Sequence, residues 1–149
     1  MPGIDTLWVH AHNILRSARQ ILNEELESLG LSSAEGNILL QLLSQGDSVH
    51  QEDIGERLDI SKPAVSRAVN SLEAKGYLAR TPDARDRRAT LVLLTGKAKA
   101  TGPHIESIYQ QLVALAAQGL SPEEIHGFTR VFERVSENFT QARKRRGCP

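Results

Sequence analysis

Residues 51–94, QEDIGERLDISKPAVSRAVNSLEAKGYLARTPDARDRRATLVLL, constrain the fold more than any other stretch of the chain. They read as helix, tight turn, helix, then a two-stranded ribbon with an arginine-loaded tip. Ile54 and Leu58 lie four residues apart on one face of a short helix. Gln51, Glu52, Asp53 and Glu56 cover its start, and acidic side chains suit the positive end of a helix dipole. Asp59 and Ile60 form a short break. Ser61 is a good N-cap for the next helix, and Pro63 falls in its first turn, where a missing N–H costs little. Val65, Val69 and Leu72 point inward at helical spacing. The opposite face carries Lys62, Ala64, Ser66, Arg67 and Asn70, small or polar side chains that reach base edges and phosphates without steric conflict. Gly76 is placed to close the helix.

Residues 77–80 and 89–94 read as strands joined by a polar turn that opens with Pro82-Asp83. The turn holds Arg85, Arg87 and Arg88, with Asp83 and Asp86 interleaved. Charge follows the same division. The whole chain is neutral, with 18 basic and 18 acidic residues, so its net charge says nothing about partners. Residues 61–99, however, hold nine Lys/Arg against three Asp/Glu, whereas residues 20–60 hold one Arg against nine. A local basic surface is what phosphate contact requires, because neutralised phosphates release condensed counterions. A helix break, a cap, a polar helical face and a basic ribbon in this order point to sequence-specific binding of double-stranded DNA. The competing reading is a module that contacts another protein, or that coats DNA without sequence preference.

The 149 residues suit one domain or two small lobes, and 40% hydrophobic content suits a globular chain. No apolar run approaches the roughly 18 residues of a membrane span, and no signal-peptide pattern precedes the first helix. With a single cysteine, Cys148, there is no intramolecular disulfide, and a cytoplasmic setting is expected. Both ends of the chain read as helical. Ile4, Trp8, Ala11, Leu15, Ala18, Leu22 and Leu29 form one stripe, interrupted by Glu25, and Leu7, Ile14 and Ile21 form a second. Two stripes imply two packing partners. A second helix starts at the capping box of Ser32 and Glu35 and runs through Ile38, Leu39, Leu42 and Leu43 toward Gly46. Thr95 opens a later helix that Gly102-Pro103 should kink or interrupt, and Gly119 ends it. Ser121-Pro122-Glu123-Glu124 starts the last helix, with Ile125, Phe128, Phe132, Val135 and Phe139 on one stripe. Terminal helices in so small a chain have little body to pack on, so this stripe is expected to form a homodimer interface. Arg143-Lys144-Arg145-Arg146 makes a basic tail. The expected fold is mainly α with a small β wing. A winged helix-turn-helix lobe spans residues 31–99, and dimerisation helices span 1–30 and 100–149.

This order of elements resembles the multiple-antibiotic-resistance regulator (MarR) family of transcription factors over nearly the whole chain. The most specific piece is Asp83-Ala84-Arg85-Asp86-Arg87-Arg88, which fits the D-x-R-D-x-R signature of that family's wing. Residues 72–78 and 91–98 also look like the family pattern, apart from Gly96, where a bulkier helix former is common. The resemblance implies an obligate homodimer that reads a near-palindromic site, acting as a repressor. Ser61, Lys62, Pro63, Ala64, Ser66, Arg67 and Asn70 would enter the major groove, and Arg85 the adjacent minor groove. Asp83, Asp86 and Arg88 would brace the wing through ion pairs, with some phosphate contact, and Arg87 belongs to the same DNA-binding set. A narrow minor groove concentrates negative potential, which fits an arginine held by nearby carboxylates.

Many relatives respond to small aromatic or phenolic effectors, and here His12 and Arg16 are the candidates for gripping an anion. Thiol sensing through the first helix does not fit, since that helix has no cysteine. His10, His12, His50, His104 and His126 form no cluster with ligand spacing, so neither a metal nor a cofactor is expected. Catalysis is disfavoured: there is no G-x-S-x-G elbow, and Gly96-Lys97 lacks the upstream glycine of a phosphate-binding loop.

Overall fold

The structure is a computed structural model that describes residues 3, 6–46 and 48–147. Ile4 and Cys148, named in the sequence reading, lie outside the described residues. The elements run α1 (Leu7–Leu26), a short 3₁₀ turn (Glu27–Leu29), α2 (Ser33–Gln45), β1 (Ser48–His50), α3 (Gln51–Leu58), α4 (Lys62–Ala74), β2 (Leu78–Pro82), β3 (Thr90–Leu94), α5 (Gly96–Ala116) and α6 (Pro122–Arg145). The fold is a winged helix, mainly helical with one small antiparallel sheet of order β1-β3-β2. Two compact units make up the chain, Met1–Leu112 and Val113–Pro149.

The first unit is built around one apolar cluster. Leu26, Ile38, Leu39, Leu42, Ile54, Val69, Leu72, Val92 and Ile105 are fully buried in it. Burying a side chain of this size contributes roughly 1.5–3 kcal/mol, so α2, α4 and the sheet hold each other in place mainly through these contacts. The capping box of α2 forms as its sequence suggests: Ser32 Oγ accepts the Glu35 amide, and the Glu35 carboxylate accepts the Ser32 amide. Glu35 is itself 5% exposed. Its two oxygens also take Lys75 Nζ at 2.9 and 2.8 Å, which fixes the start of α2 to the end of α4. Burial pushes the Glu35 carboxyl up, but bonds from Lys75, Ser71 and the Ser32 main chain outweigh it and hold the group below its ordinary range.

Gly36 lies where three elements converge. A Cβ there would stand 2.5 Å from Leu26 Cδ1 and 3.0 Å from the Tyr109 hydroxyl, so α1 and α5 can approach α2 this closely only over a glycine. Tyr109 donates to Asn37 Oδ1 at 2.5 Å, and burial pushes its hydroxyl up to about 12. At the far end of α4, Gly76 adopts φ +81°. The Gly76 amide donates to the Glu73 carbonyl and the Tyr77 amide to the Leu72 carbonyl, a left-handed closure that L side chains resist.

Several expectations change in detail. β1 was not expected; it pairs with β3 through Ser48–Leu93, Val49–Val92 and His50–Leu91. Tyr77 precedes β2 rather than joining it, is 3% exposed, and donates its hydroxyl to the Leu29 carbonyl. α1 packs inward with Leu22 and Leu26, while Trp8, Ile14 and Leu15 stay exposed. Thr95 caps α5 by accepting the Ala98 amide, but Gly102-Pro103 does not interrupt that helix. Gly102 is buried against Leu43, and Pro103 is exposed on the outer face of the continuous helix.

In the second unit, Ser121 and Glu124 form the expected capping box at the start of α6. Ile125, Phe128, Phe132 and Phe139 lie on its exposed surface, with the Phe128 and Phe132 ring centroids 4.4 Å apart. No residue of α6 is buried. Among the described residues, no helix is long and apolar enough to cross a membrane.

Candidate nucleic-acid interface

The turn between α3 and α4 is set by Asp59, which takes φ +52° and donates its amide to the Gly55 carbonyl. Aspartate tolerates this left-handed conformation better than most residues. The Ile60 amide donates to the same carbonyl. Gly55 faces the turn, and a Cβ there would come 3.1 Å from the Ile60 carbonyl oxygen. Ser61 Oγ then accepts the Ala64 amide at 3.3 Å and caps α4, with Pro63 in the first turn.

Burial divides α4 as its sequence implies. Val65, Val69 and Leu72 anchor it in the core. Ser61, Lys62, Pro63, Arg67 and Asn70 are exposed, and Ala64 and Ser66 are half-buried. The helix therefore presents a polar face that ends at its own positive N-terminus, where main-chain amides favour an anion. The Lys62–Glu52 pair, at 3.7 Å, is too solvated to anchor anything.

β2 and β3 pair from Leu78–Leu94 to Pro82–Thr90, so the loop between them is residues 83–89. Two carboxylates shape it. Asp83 Oδ1 accepts the Arg85 amide at 2.9 Å, and Asp86 Oδ1 accepts the Arg88 amide at 3.0 Å. The Asp83 amide donates to the Ala89 carbonyl, and the Ala89 amide to the Asp86 carbonyl. The acidic residues thus brace the wing through main-chain amides rather than through ion pairs with its arginines. The ion pair that Asp83 does make is with His50, whose Nε2 lies 2.8 Å from Asp83 Oδ2. The Arg85 amide first, and then His50, hold the Asp83 carboxyl below its ordinary range. Sequence reasoning missed His50 because only the β1–β3 pairing brings it to the wing.

The basic charge is less available than its count suggests. Lys75 is spent on Glu35, and Arg80 makes a two-point pair with Glu73 at 3.0 and 3.2 Å. That bond from Arg80 is the main cause holding the Glu73 carboxyl low. Lys97 donates to the Lys75 carbonyl and lies 4.4 Å from the Tyr77 ring centre. Arg67, Arg85, Arg87 and Arg88 are exposed, and their side chains make no hydrogen bond among the described residues. Within the basic segment 61–99, these four arginines sit on α4 and the wing, beside a groove of about 650 Å³ lined by α3, α4 and the wing. His12 and Arg16 are exposed on α1 and do not line that groove; Arg16 donates to Asn13 Oδ1 at 3.5 Å. Among the described residues, no three His, Cys, Asp or Glu side chains are grouped to hold a metal ion.

Residues 29–89 match the MarR family. The whole chain is similar in fold to a MarR transcriptional regulator from Methanosarcina mazei Go1, with 24% identity over 93% of this chain and 99% of that one (TM-score 0.83). It is also similar to the transcriptional regulator SlyA, at 26% identity over 91% and 95% (TM-score 0.85). A third similar structure is S. aureus MepR in complex with DNA, at 25% identity over 89% and 98% (TM-score 0.84).

Proposed function

We propose that the chain is a transcriptional regulator of the MarR family, acting as a repressor on double-stranded DNA. The observation that carries this reading is where its uncommitted arginines sit. Arg67 lies on the exposed face of α4, and Arg85, Arg87 and Arg88 lie on a wing whose loop is already shaped by Asp83 and Asp86. A helix face flanked by a preformed basic loop suits a major groove and the minor groove next to it. In this reading Ser61, Lys62, Pro63, Ala64, Ser66, Arg67 and Asn70 meet the major groove, and Arg85 reads the minor groove. The similarity to MepR, whose structure holds DNA, supports it. The lobe of residues 31–99 does the reading.

Residues 1–30 and 100–149 supply a homodimer interface, for which the exposed apolar stripe of α6 is the support. A two-fold dimer would set two recognition helices on successive major grooves, so the operator is an inverted repeat with half-site centres about 34 Å apart. Release by a small aromatic or phenolic effector, gripped by His12 and Arg16, completes the proposal. An effector would lower DNA affinity only by its differential affinity for the two dimer states. The chain is a regulator and not an enzyme in this reading.

Selection of binding sites from random DNA tests it, followed by mobility-shift titration at fixed salt against scrambled DNA. The expected result is an enriched inverted repeat of fixed spacing. Equal affinity for selected and scrambled DNA would favour sequence-blind binding, and no binding at all would favour a protein-contact module.

A further inference from the structure

The inference drawn here rests on the DNA-reading role proposed above and concerns how the wing is held. β1 and β2 are not neighbours, since β3 lies between them. Asp83, the residue after β2, reaches past the end of β3 to His50, 33 positions earlier in the chain. His50 ends β1 and is the residue from which α3 starts. Its other ring nitrogen, Nδ1, lies 3.8 Å from Asp53 Oδ2, one turn into α3. The imidazole therefore stands between two carboxylates, one from the wing and one from the helix-turn-helix. A neutral imidazole has one N–H and can donate to only one of them; an imidazolium has two and adds a charge to both interactions. The Asp83 carboxylate is shared as well, because its other oxygen sets the turn at Arg85.

We propose that His50 is the positioning residue of the wing: as an imidazolium it clamps Asp83, fixes the turn that presents Arg85, and makes DNA affinity fall as the ring loses its proton. The charged groups that line the groove together with His50 are Glu52 and Asp53 from α3, Lys62 from α4, and Asp83, Asp86 and Arg88 from the wing. Carboxylates outnumber cations, which favours the protonated ring. The Asp83 hydrogen bond is the main cause raising His50 above its ordinary value; partial desolvation opposes it, and the charges of Asp83, Asp53 and Asp86 add to it. A raised folded value means the clamp is fully present below about pH 6.5 and is lost as pH climbs through the folded value. On the acid side it is lost as pH falls through the depressed value of Asp83. Holding a loop in its bound geometry lowers the ordering cost of binding, so loss of the clamp weakens DNA affinity without removing any groove contact.

Two measurements test this, and they separate the clamp from the DNA-reading role. In the free protein, an NMR titration should show the His50 ring and the Arg85 amide moving with one midpoint above about pH 6.5. Asp83→Asn should lower that midpoint. With the selected operator at constant ionic strength, affinity should weaken roughly threefold or more as pH is raised from about 6 to 8.5, and by no more than about tenfold per pH unit for each of the two His50 protons of the proposed dimer. His50→Gln, which keeps a neutral donor, and Asp83→Asn should both flatten that slope. An Arg85 amide that ignores the His50 titration overturns the clamp. So does a His50→Gln protein that keeps the wild-type slope. If Asp83→Asn alone keeps the slope, His50 acts directly on phosphate and the positioning role is wrong. Linked titration in the free protein with no sequence enriched from random DNA would uphold the clamp and overturn the DNA-reading role instead.

Discussion

Replacing Lys75 with Met tests whether one polar tie sets α4 in place. Lys75 Nζ gives two charge-assisted bonds to Glu35, a carboxylate that is 5% exposed. Removing one partner of a fully buried ion pair costs about 3–5 kcal/mol, because the other charge is left stranded. Two features reduce that here. The Lys75 side chain is 38% exposed, so water can enter the vacated corner, and the Ser32 amide still donates to Glu35 at 2.8 Å. A loss of about 2 kcal/mol at pH 7 follows, intermediate between buried and surface pairs. Its pH dependence has a definite sign. In the wild type the Glu35 carboxyl is held low, so its stabilising contribution is present above the ordinary glutamate value of about 4.3 and fades as pH falls through the folded value. In Lys75→Met only burial and the weaker donors remain, and protonating Glu35 relieves the penalty, so the deficit should shrink in acid. Urea unfolding at pH 7 and near pH 4, at one fixed protein concentration, reads both effects. A variant within about 0.5 kcal/mol of wild type at pH 7 would mean the pair behaves as a surface contact, and the reasoning fails.

Arg85→Ala should weaken specific DNA binding by roughly 1–3 kcal/mol in a mobility-shift titration while the circular dichroism spectrum is unchanged; unaltered affinity would remove Arg85 from the minor groove. Gly36→Ala should gain about 1 kcal/mol of helix propensity but lose about 1–3 to overpacking against Leu26 and Tyr109, a net loss near 1 kcal/mol that thermal melting would detect and that a rise in Tm would contradict. Phe128→Asp with Phe132→Asp should convert the proposed dimer to monomer in analytical ultracentrifugation, because an apolar interface tolerates unpaired charge poorly; a wild-type monomer, or an unchanged dimer mass in the variant, would refute an α6 interface.

The parts of the fold that were legible in the sequence are those fixed by neighbours a few residues away. The boxes at Ser32 and Ser121, the cap at Ser61, the closure at Gly76 and the buried positions Val65, Val69 and Leu72 all depend on one helical turn of context. What was not legible depends on distant pairing. β1 is three residues long and exists because Val92 and its neighbours lie alongside, some forty positions later. His50 reached the wing only through that pairing. Leu26 was passed over because the stripe stepped from Leu22 through the polar interruption at Glu25 to Leu29, whereas the close approach to Gly36 of α2 buries Leu26. Gly102-Pro103 looked like a break because sequence does not show that Leu43 leaves no room beside the glycine. Lys62, Lys75, Arg80 and Lys97 in the positive segment have protein partners for the same reason: Glu52, Glu35 and Glu73 lie on other elements, and Lys97 is turned back on the end of α4.

The two aspartates of the wing loop divide its labour in a way that bears on how such a protein changes over evolutionary time. Shape resides at positions 83 and 86, whose carboxylates hold main-chain amides that any residue but proline supplies. Chemistry resides at Ala84, Arg85 and Arg87, whose side chains the loop does not use to hold its own form. Substitutions at those three places can alter what the loop recognises without reopening the question of whether it folds. A library varied only there, with Asp83 and Asp86 retained, should yield mostly well-folded proteins of altered preference, whereas one varied at the aspartates should mostly lose the loop.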